Sequence, residues 1–194
     1  LRVLGISGSP RYNSNTEILL EQVLKGAESH GADTDTLRVC GLNIEPCAHC
    51  DICGRDGLCH LNDDMQAVFK AIEQADGIVL AAPLHFMGIP SQMKALIDRA
   101  QPMWCRKYLL KRLPLDDKRK RLAFFVSVGG RTGEQMFDAA EVTVKAFFAC
   151  LDIKYTGKLV FSGIEKCAQV RSDTTALLES FNAGQNLAQS IKTA

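Results

Sequence analysis

No charge excess marks this chain of 194 residues: 23 Lys and Arg against 22 Asp and Glu leave a formal net charge of +1. A dedicated nucleic-acid binder normally shows a domain-wide basic surplus, so that class is disfavoured. No apolar run approaches the roughly 20 residues that span a bilayer as a helix. Residues 1–6 lack the basic flank, long apolar core and small-residue cleavage site of a secretory leader, and they run directly into a strand pattern. The expected location is the cytosol. Repeats and low-complexity tracts are absent. The first glycine-containing loop has neither G-x-x-x-x-G-K-S/T nor G-x-G-x-x-G, which disfavours a nucleoside triphosphate or dinucleotide loop.

What is present suits one α/β domain over residues 1–194, with 46% hydrophobic residues to build its core. Residues 2–6 read as a strand, and residues 15–27 carry helical spacing at Leu19, Leu20, Val23, Leu24 and Ala27. A second strand covers 34–39. Residues 40–62 form an insertion longer than an ordinary connection. A helix over 63–75, capped by Asn62 or Asp63, leads to an unbroken apolar strand at 77–81. A helix at 91–101, an apolar strand at 122–128 and a capping box Thr132-x-x-Gln135 opening a helix to Leu151 come next. Residues 158–161 supply a fifth strand and 174–192 a last helix. Five strands alternating with five helices imply a doubly wound parallel sheet, and the natural candidate is the flavodoxin-like order 2-1-3-4-5. Ligands then bind beyond the carboxyl ends of the strands, at the switch between strands 1 and 3.

The insertion holds four of the eight cysteines, Cys47, Cys50, Cys53 and Cys59, spaced C-x2-C-x2-C-x5-C. Four thiols so close in one loop can converge on a single centre. Compact spacing favours an iron-sulfur cubane over the separated pairs common at zinc sites. A tetrahedral zinc clip and a metal-free thiol or disulfide loop are the alternatives. His49 and His60 would be superfluous as ligands. Of the remaining cysteines, Cys150 reads as core, while Cys40, Cys105 and Cys167 have no role assigned by the sequence.

Three further segments meet at the switch point. Gly8-Ser9-Pro10-Arg11-Tyr12-Asn13-Ser14-Asn15-Thr16 puts hydroxyls and amides before a helix N-terminus, which suits a phosphate monoester through exposed N–H groups and the side chains of Ser9, Asn15 and Thr16. A polar turn with a capped helix is the plainer reading. Pro83-Leu84-His85-Phe86-Met87-Gly88 can pack beside a flat heteroaromatic ring, or simply cover the sheet end. Ser127-Val128-Gly129-Gly130-Arg131 permits close backbone approach to a ligand, or is an ordinary glycine turn. The basic run Lys118-Arg119-Lys120-Arg121, with Arg106, Lys107, Lys111 and Arg112, reads mainly as a solvated edge that could also steer an acidic carrier or hold the 2′-phosphate of NADPH.

Together the GSPRYNSNT loop, the PCAHCDICGRDGLCHLNDDM segment, the APLHFMGIPSQMKALIDR segment and the SVGG turn make the chain resemble the flavodoxin-fold NADPH-dependent FMN reductases, and among them the iron-sulfur flavoproteins. The resemblance implies one FMN and one 4Fe-4S cluster per subunit, the cluster on Cys47, Cys50, Cys53 and Cys59. It places the FMN phosphate on Ser7, Ser9, Arg11, Asn13, Asn15 and Thr16. The ring falls to Pro83, Leu84, His85, Phe86, Met87 and Gly88, with Ser127, Gly129, Gly130 and Arg131. Relatives usually carry an aromatic residue where His85 stands. A homodimer or homotetramer, with cluster and flavin across subunit contacts, is implied as well. The function expected is electron transfer between a ferredoxin-like carrier, cluster, FMN and a small acceptor such as a quinone, oxygen or peroxide, with no catalytic side chain required. Two alternatives stand beside it. One is an NADPH-dependent FMN, quinone or azo reductase with a structural or redox-regulatory cysteine loop, and the other is a pure electron carrier.

Overall fold

The structure is a computed structural model that describes residues 1–193. In chain order the elements are β1 (Arg2–Ser7), α1 (Asn15–Glu28), β2 (Asp33–Arg38), the one-turn α2 (Cys53–Asp56), α3 (Met65–Gln74) and β3 (Gly77–Pro83). There follow α4 (Ser91–Asp98), α5 (Gln101–Trp104), β4 (Leu122–Gly129), α6 (Asp138–Cys150), β5 (Lys154–Ser162) and α7 (Thr174–Lys192). All strand pairs are parallel and the order is β2-β1-β3-β4-β5, the flavodoxin-like topology expected from the alternation of elements. Among the described residues no helix is long and apolar enough to cross a membrane.

Successive strand residues face opposite sides, so the sheet feeds two cores. Leu4, Ile6, Ile78, Leu80 and Phe125 pack with Met65, Val68 and Ile72 of α3, Met93 and Leu96 of α4, and Val144 and Phe148 of α6. Val3, Val79, Ala81, Val126 and Val128 pack with Leu19, Leu20 and Val23 of α1 and with Leu187 and Ala188 of α7. Burial on both faces is why β3 and β4 read as unbroken apolar runs. On the second face α1 and α7 approach until their backbones touch. A Cβ on Gly184 would stand 1.8 Å from the Val23 carbonyl oxygen, and one on Gly26 would stand 1.9 Å from that of Phe181.

Several elements differ from the sequence reading, among them the helix expected over 91–101, which stops at Asp98. β5 starts at Lys154 rather than at 158, because its first half is a polar edge with a register shift opposite Ala123 and Phe124. Thr132 opens no helix; α6 begins at Asp138 after a 3-10 turn. The true capping box lies at Ser14 and Glu17, where the Ser14 hydroxyl accepts from the Glu17 N–H and the Glu17 carboxylate accepts from the Ser14 N–H.

Candidate functional site

Beyond the carboxyl ends of β1, β3 and β4 lies a cleft of about 280 Å³. Its walls are Ser9, Pro10, Arg11, Ser14, Asn15 and Thr16 after β1; Pro83, Leu84 and His85 after β3; Val128, Gly129 and Gly130 at the end of β4; and Ile164, Glu165 and Cys167 after β5. Most residues expected at this point are thus brought together. Ser7 is buried and bonds the Glu17 carboxylate at 3.4 Å, and Ser127 donates to the Ala82 carbonyl at 2.7 Å, clamping β3 to β4. Neither lines the cleft. Asn13 stands in a left-handed turn (φ 51°) and its carbonyl accepts from the Cys167 thiol. The segment after Leu84 closes a tight turn through mutual His85 and Gly88 backbone bonds of 2.9 and 3.0 Å. Its central residues Phe86 and Met87 both have positive φ, which turns Phe86 fully into solvent. Met87 and Arg131 instead line an adjoining recess with Thr132, Gln135, Met136 and Ala139.

The polar end of the cleft is built on the start of α1, whose first N–H groups have no intrahelical acceptor. Ser14 and Thr16 hold their hydroxyls 3.3 Å apart, both residues buried. Asn15 spends its side chain differently from the sequence expectation. Its amide donates to the Lys166 carbonyl at 2.8 Å and its oxygen accepts from the Val170 N–H at 3.0 Å, so it straps the loop after β5 to the loop after β1. The Glu17 carboxylate would repel an anion here, but Arg38 pairs with it and stacks 3.9 Å over the Tyr12 ring. The other end of the cleft is apolar, with Leu84, Val128 and Ile164, and its wall is bare backbone at Gly129 and Gly130. A Cβ on Gly129 would meet Met136 Cε at 2.4 Å and Leu84 Cδ1 at 3.3 Å. A phosphate end, an apolar slot and a glycine cradle suit FMN.

The cysteine insertion leaves β2 through a 3-10 turn at Val39–Gly41 and crosses the outside of α4 and α5. Cys47, Cys50, Cys53 and Cys59 all line one hollow, together with His60, Arg99, Gln101 and Pro102. Among the described residues no three His, Cys, Asp or Glu side chains are gathered closely enough to hold a single metal ion. Tetrahedral zinc would draw four sulfurs to about 3.8 Å from one another, given Zn–S bonds near 2.3 Å. The four thiols line one hollow without being drawn to a single point. Two further groups stand beside the ligand set: His60 Nδ1 lies 3.6 Å from Cys50 Sγ, and Cys105 Sγ lies 3.6 Å from Cys53 Sγ. Burial, and then the hydrogen bond with Cys105, push the Cys53 thiol up to about 12. Metal binding there must release that proton.

The hollow is closed by an ion pair the sequence did not reveal. Arg99, the C-cap of α4, and Asp63 have side chains 1% and 3% exposed. The guanidinium forks onto the Asp63 carboxylate at 2.5 and 3.0 Å and reaches the Glu45 carbonyl at 2.8 Å. Asp63 also accepts from the Glu45 and Met65 N–H groups. Burial works against its charge, but the bonds from Arg99, Glu45 and Met65 outweigh it and hold the carboxyl below its usual value. One side chain from α4 thus ties the entry of the insertion, at Glu45, to its exit, at Asp63.

Two further features of the site have sequence signals. Ser14 and Glu17 form the S-x-x-E pattern, and the loop after β5, with Ile164, Glu165 and Cys167, follows from the rule that every strand's carboxyl end faces the site. The basic run is mostly committed internally. Arg121 is buried and forks onto Asp117 at 2.8 and 2.9 Å, Arg119 pairs with Asp76, and Arg106 and Lys107 bond Asp116 and Asp152.

A family model for NADPH-dependent FMN reductase matches residues 1–164. An iron-sulfur flavoprotein of Archaeoglobus fulgidus is 37% identical over 134 residues, 69% of this chain and 65% of that protein. One from Methanosarcina thermophila is 34% identical over 136 residues, 70% and 67% of the two chains. One from Methanocaldococcus jannaschii is 36% identical over 103 residues, so the matched stretch spans about half of that relative's length, 53%. Among solved structures, a NAD(P)H:quinone oxidoreductase from Methanothermobacter marburgensis superposes with TM-score 0.76 at 16% identity, over 96% of this chain and 95% of that one. An archaeal flavodoxin superposes with TM-score 0.60 at 11% identity, over 99% of each chain. These two likenesses speak for the fold alone. With its four-cysteine insertion, this chain belongs to the NADPH-dependent FMN reductase family and groups within it with the iron-sulfur flavoproteins.

Proposed function

We propose that the protein is an FMN-dependent oxidoreductase that passes electrons between a one-electron carrier of the ferredoxin kind, a 4Fe-4S cluster in the cysteine hollow, FMN in the cleft and a small acceptor such as a quinone, oxygen or peroxide. The observation that carries the proposal is the pairing, in one domain, of a glycine-walled cleft at the switch point with a four-thiol hollow on the far side of α4. No residue lines both. Between them runs α4, about 12 Å long at 1.5 Å per residue, from Ser91 to its C-cap Arg99 at the wall of the hollow. When bound, FMN exchanges one or two electrons and the cluster exchanges them singly, so the pair couples one-electron donors to two-electron acceptors.

The chain's own residues supply binding and exclusion. The first N–H groups of α1, with the hydroxyls of Ser9, Ser14 and Thr16, hold the phosphate. Leu84, Val128 and Ile164 keep water from the ring, and the backbone at Gly129 and Gly130 lies against it without a side chain between. His85 borders the same cleft and can donate to a ring atom or to the acceptor. Cys47, Cys50, Cys53 and Cys59 hold the cluster. Assembly as a homodimer or homotetramer, and a cytosolic location, belong to this reading.

A second reading, direct reduction by NADPH, is favoured by the recess beside the cleft. Arg131 faces it and, among the described residues, makes no ion pair, so its guanidinium is available to a 2′-phosphate. Anaerobic titration separates the two. Bleaching of the flavin band by a reduced one-electron carrier, with NADPH inert, supports the relay. Stoichiometric bleaching by NADPH with no response to the carrier would replace it with the reductase. Reduction by the carrier without turnover of any quinone or peroxide would leave a pure electron carrier.

A further inference from the structure

The donor inventory of Arg99 does not close within the protein. Nη1 serves the Glu45 carbonyl and Asp63, and Nη2 serves Asp63. Nε is left over: among the described residues it is the one buried side-chain nitrogen or oxygen with no hydrogen-bond partner. Leaving a buried donor unmade costs about 1–3 kcal/mol, and more on a charged group. Such a defect beside an otherwise satisfied fork points to an acceptor supplied from outside the chain. Arg99 is itself part of the wall of the four-cysteine hollow, so the residue that carries the unused donor stands beside a space for such an acceptor.

The charge argument runs the same way. Arg99 and Cys59 line the same hollow, and the Asp63 carboxylate is the partner that pairs with the buried guanidinium. As a free thiol Cys59 does not satisfy Nε. Ionised as a metal ligand, it would attract Arg99 more strongly. Four thiolates around an iron-sulfur core carry net negative charge that grows on reduction, and a buried cation beside them favours the reduced state.

We propose that Arg99 is a positioning residue for the centre held by the four cysteines: its Nε–H donates to sulfur on the Cys59 side of the hollow, and its charge sets the reduction potential of that centre. This rests on the iron-sulfur reading given above. The Asp63 and Glu45 bonds make Arg99 a structural clip; the Nε donor and the charge make it an electronic one.

The test uses the full chain, reconstituted anaerobically with iron and sulfide, as wild type and as Arg99→Lys, Arg99→Gln and Asp63→Asn. Iron and sulfide are counted per chain, the midpoint of the cluster is followed by electron paramagnetic resonance, and the urea midpoint is read on the metal-free chains. Arg99→Gln should lower the reduction equilibrium at least tenfold, about 59 mV for one electron. Arg99→Lys, which keeps charge but lacks the Nε edge, should fall between Gln and wild type. Asp63→Asn removes a negative charge from the same pair and should move the midpoint the opposite way, while still lowering the urea midpoint. A purely structural clip would lower the urea midpoint in all three and leave the potential of whatever cluster forms at the wild-type value. That result overturns the proposal. If Arg99→Gln does not fold, the opposed shifts of Arg99→Lys and Asp63→Asn decide it. Wild type that takes up neither iron nor sulfide overturns the iron-sulfur reading itself, a different failure from a loaded wild type with unmoved variants.

Discussion

Replacing Asp63 by Asn keeps its volume and most of its hydrogen-bond geometry while leaving Arg99 as an uncompensated cation in a site 1% exposed. Removing one partner of a buried ion pair costs about 3–5 kcal/mol. Asn can still accept one guanidinium N–H, and the Glu45 carbonyl still binds Nη1 at 2.8 Å, so the lower figure, about 3 kcal/mol, applies. For a domain of this size each kcal/mol moves the melting temperature by about 2–4 °C, which gives a fall of about 6–12 °C. Urea and thermal unfolding of the metal-free chain measure the loss without contribution from iron loading. The internal control is Asp98→Asn. Its i,i+4 pair with Lys94 is close to half exposed on both sides (48% and 45%), and such pairs contribute less than about 1 kcal/mol. Because the folded pKa of Asp63 is depressed, its contribution is complete above the ordinary carboxylate value of 3.8 and disappears as pH falls through the lower folded value. The difference between wild type and Asp63→Asn should shrink over that acid range. If Asp63→Asn costs no more than Asp98→Asn, the fork is not a buried ion pair holding the insertion, and the reasoning fails.

Other outcomes follow from the same geometry. Gly184→Ala gains about 1 kcal/mol in helix propensity but drives a Cβ to 1.8 Å from the Val23 carbonyl oxygen. Overpacking of that kind costs about 1–3 kcal/mol, more where backbone must move. A net loss of about 2 kcal/mol in urea is expected, and a stabilised variant would show that α1 and α7 do not touch there. Gly129→Ala should leave the urea midpoint within about 1 kcal/mol, because the clash at 2.4 Å is with the flexible end of Met136. It should weaken FMN binding at least tenfold by fluorescence titration, about 1.4 kcal/mol; unchanged affinity would move the ring away from that wall. Glu141 is held down to about 2, chiefly by the Lys158 hydrogen bond at 2.7 Å. Its stabilising share is complete above about 4.5 and is lost as pH drops toward about 2. The stability curve of Glu141→Gln should therefore run flatter than wild type below pH about 4.5, and parallel curves would contradict the assignment.

The fold was legible because β3 and β4 are apolar on both faces and the helices on either side of β3 keep strict spacing, at Val68 and Ile72 in α3 and at Met93 and Leu96 in α4. β5 was half missed because an edge strand with Lys154, Thr156 and Gly157 needs no apolar continuity. The cysteine motif stood out because ligand spacing is local. The fork between Arg99 and Asp63 was invisible since two charged residues 36 positions apart, each ordinary on its own helix end, carry no pairing signal. The tertiary bonds of Asn15 carry no local signal either. A side-chain amide before a helix reads as a ligand donor, and only the tertiary contact with Lys166 and Val170 shows it to be a strap. Likewise, nothing in Leu84-His85-Phe86-Met87 announced left-handed backbone at two residues other than glycine, which turns Phe86 away from the cleft.

The central claim, that one domain carries both a flavin and an iron-sulfur centre, is tested most directly by composition. Protein purified without oxygen is examined by visible spectroscopy, with FMN, iron, acid-labile sulfide and zinc counted per chain. Flavin bands riding on a broad thiolate-to-iron absorption, with about four irons and four sulfides to each FMN, are the predicted result for a cubane. FMN alone, or FMN with one zinc in place of iron and sulfide, would contradict it and make the cysteine hollow a structural clip.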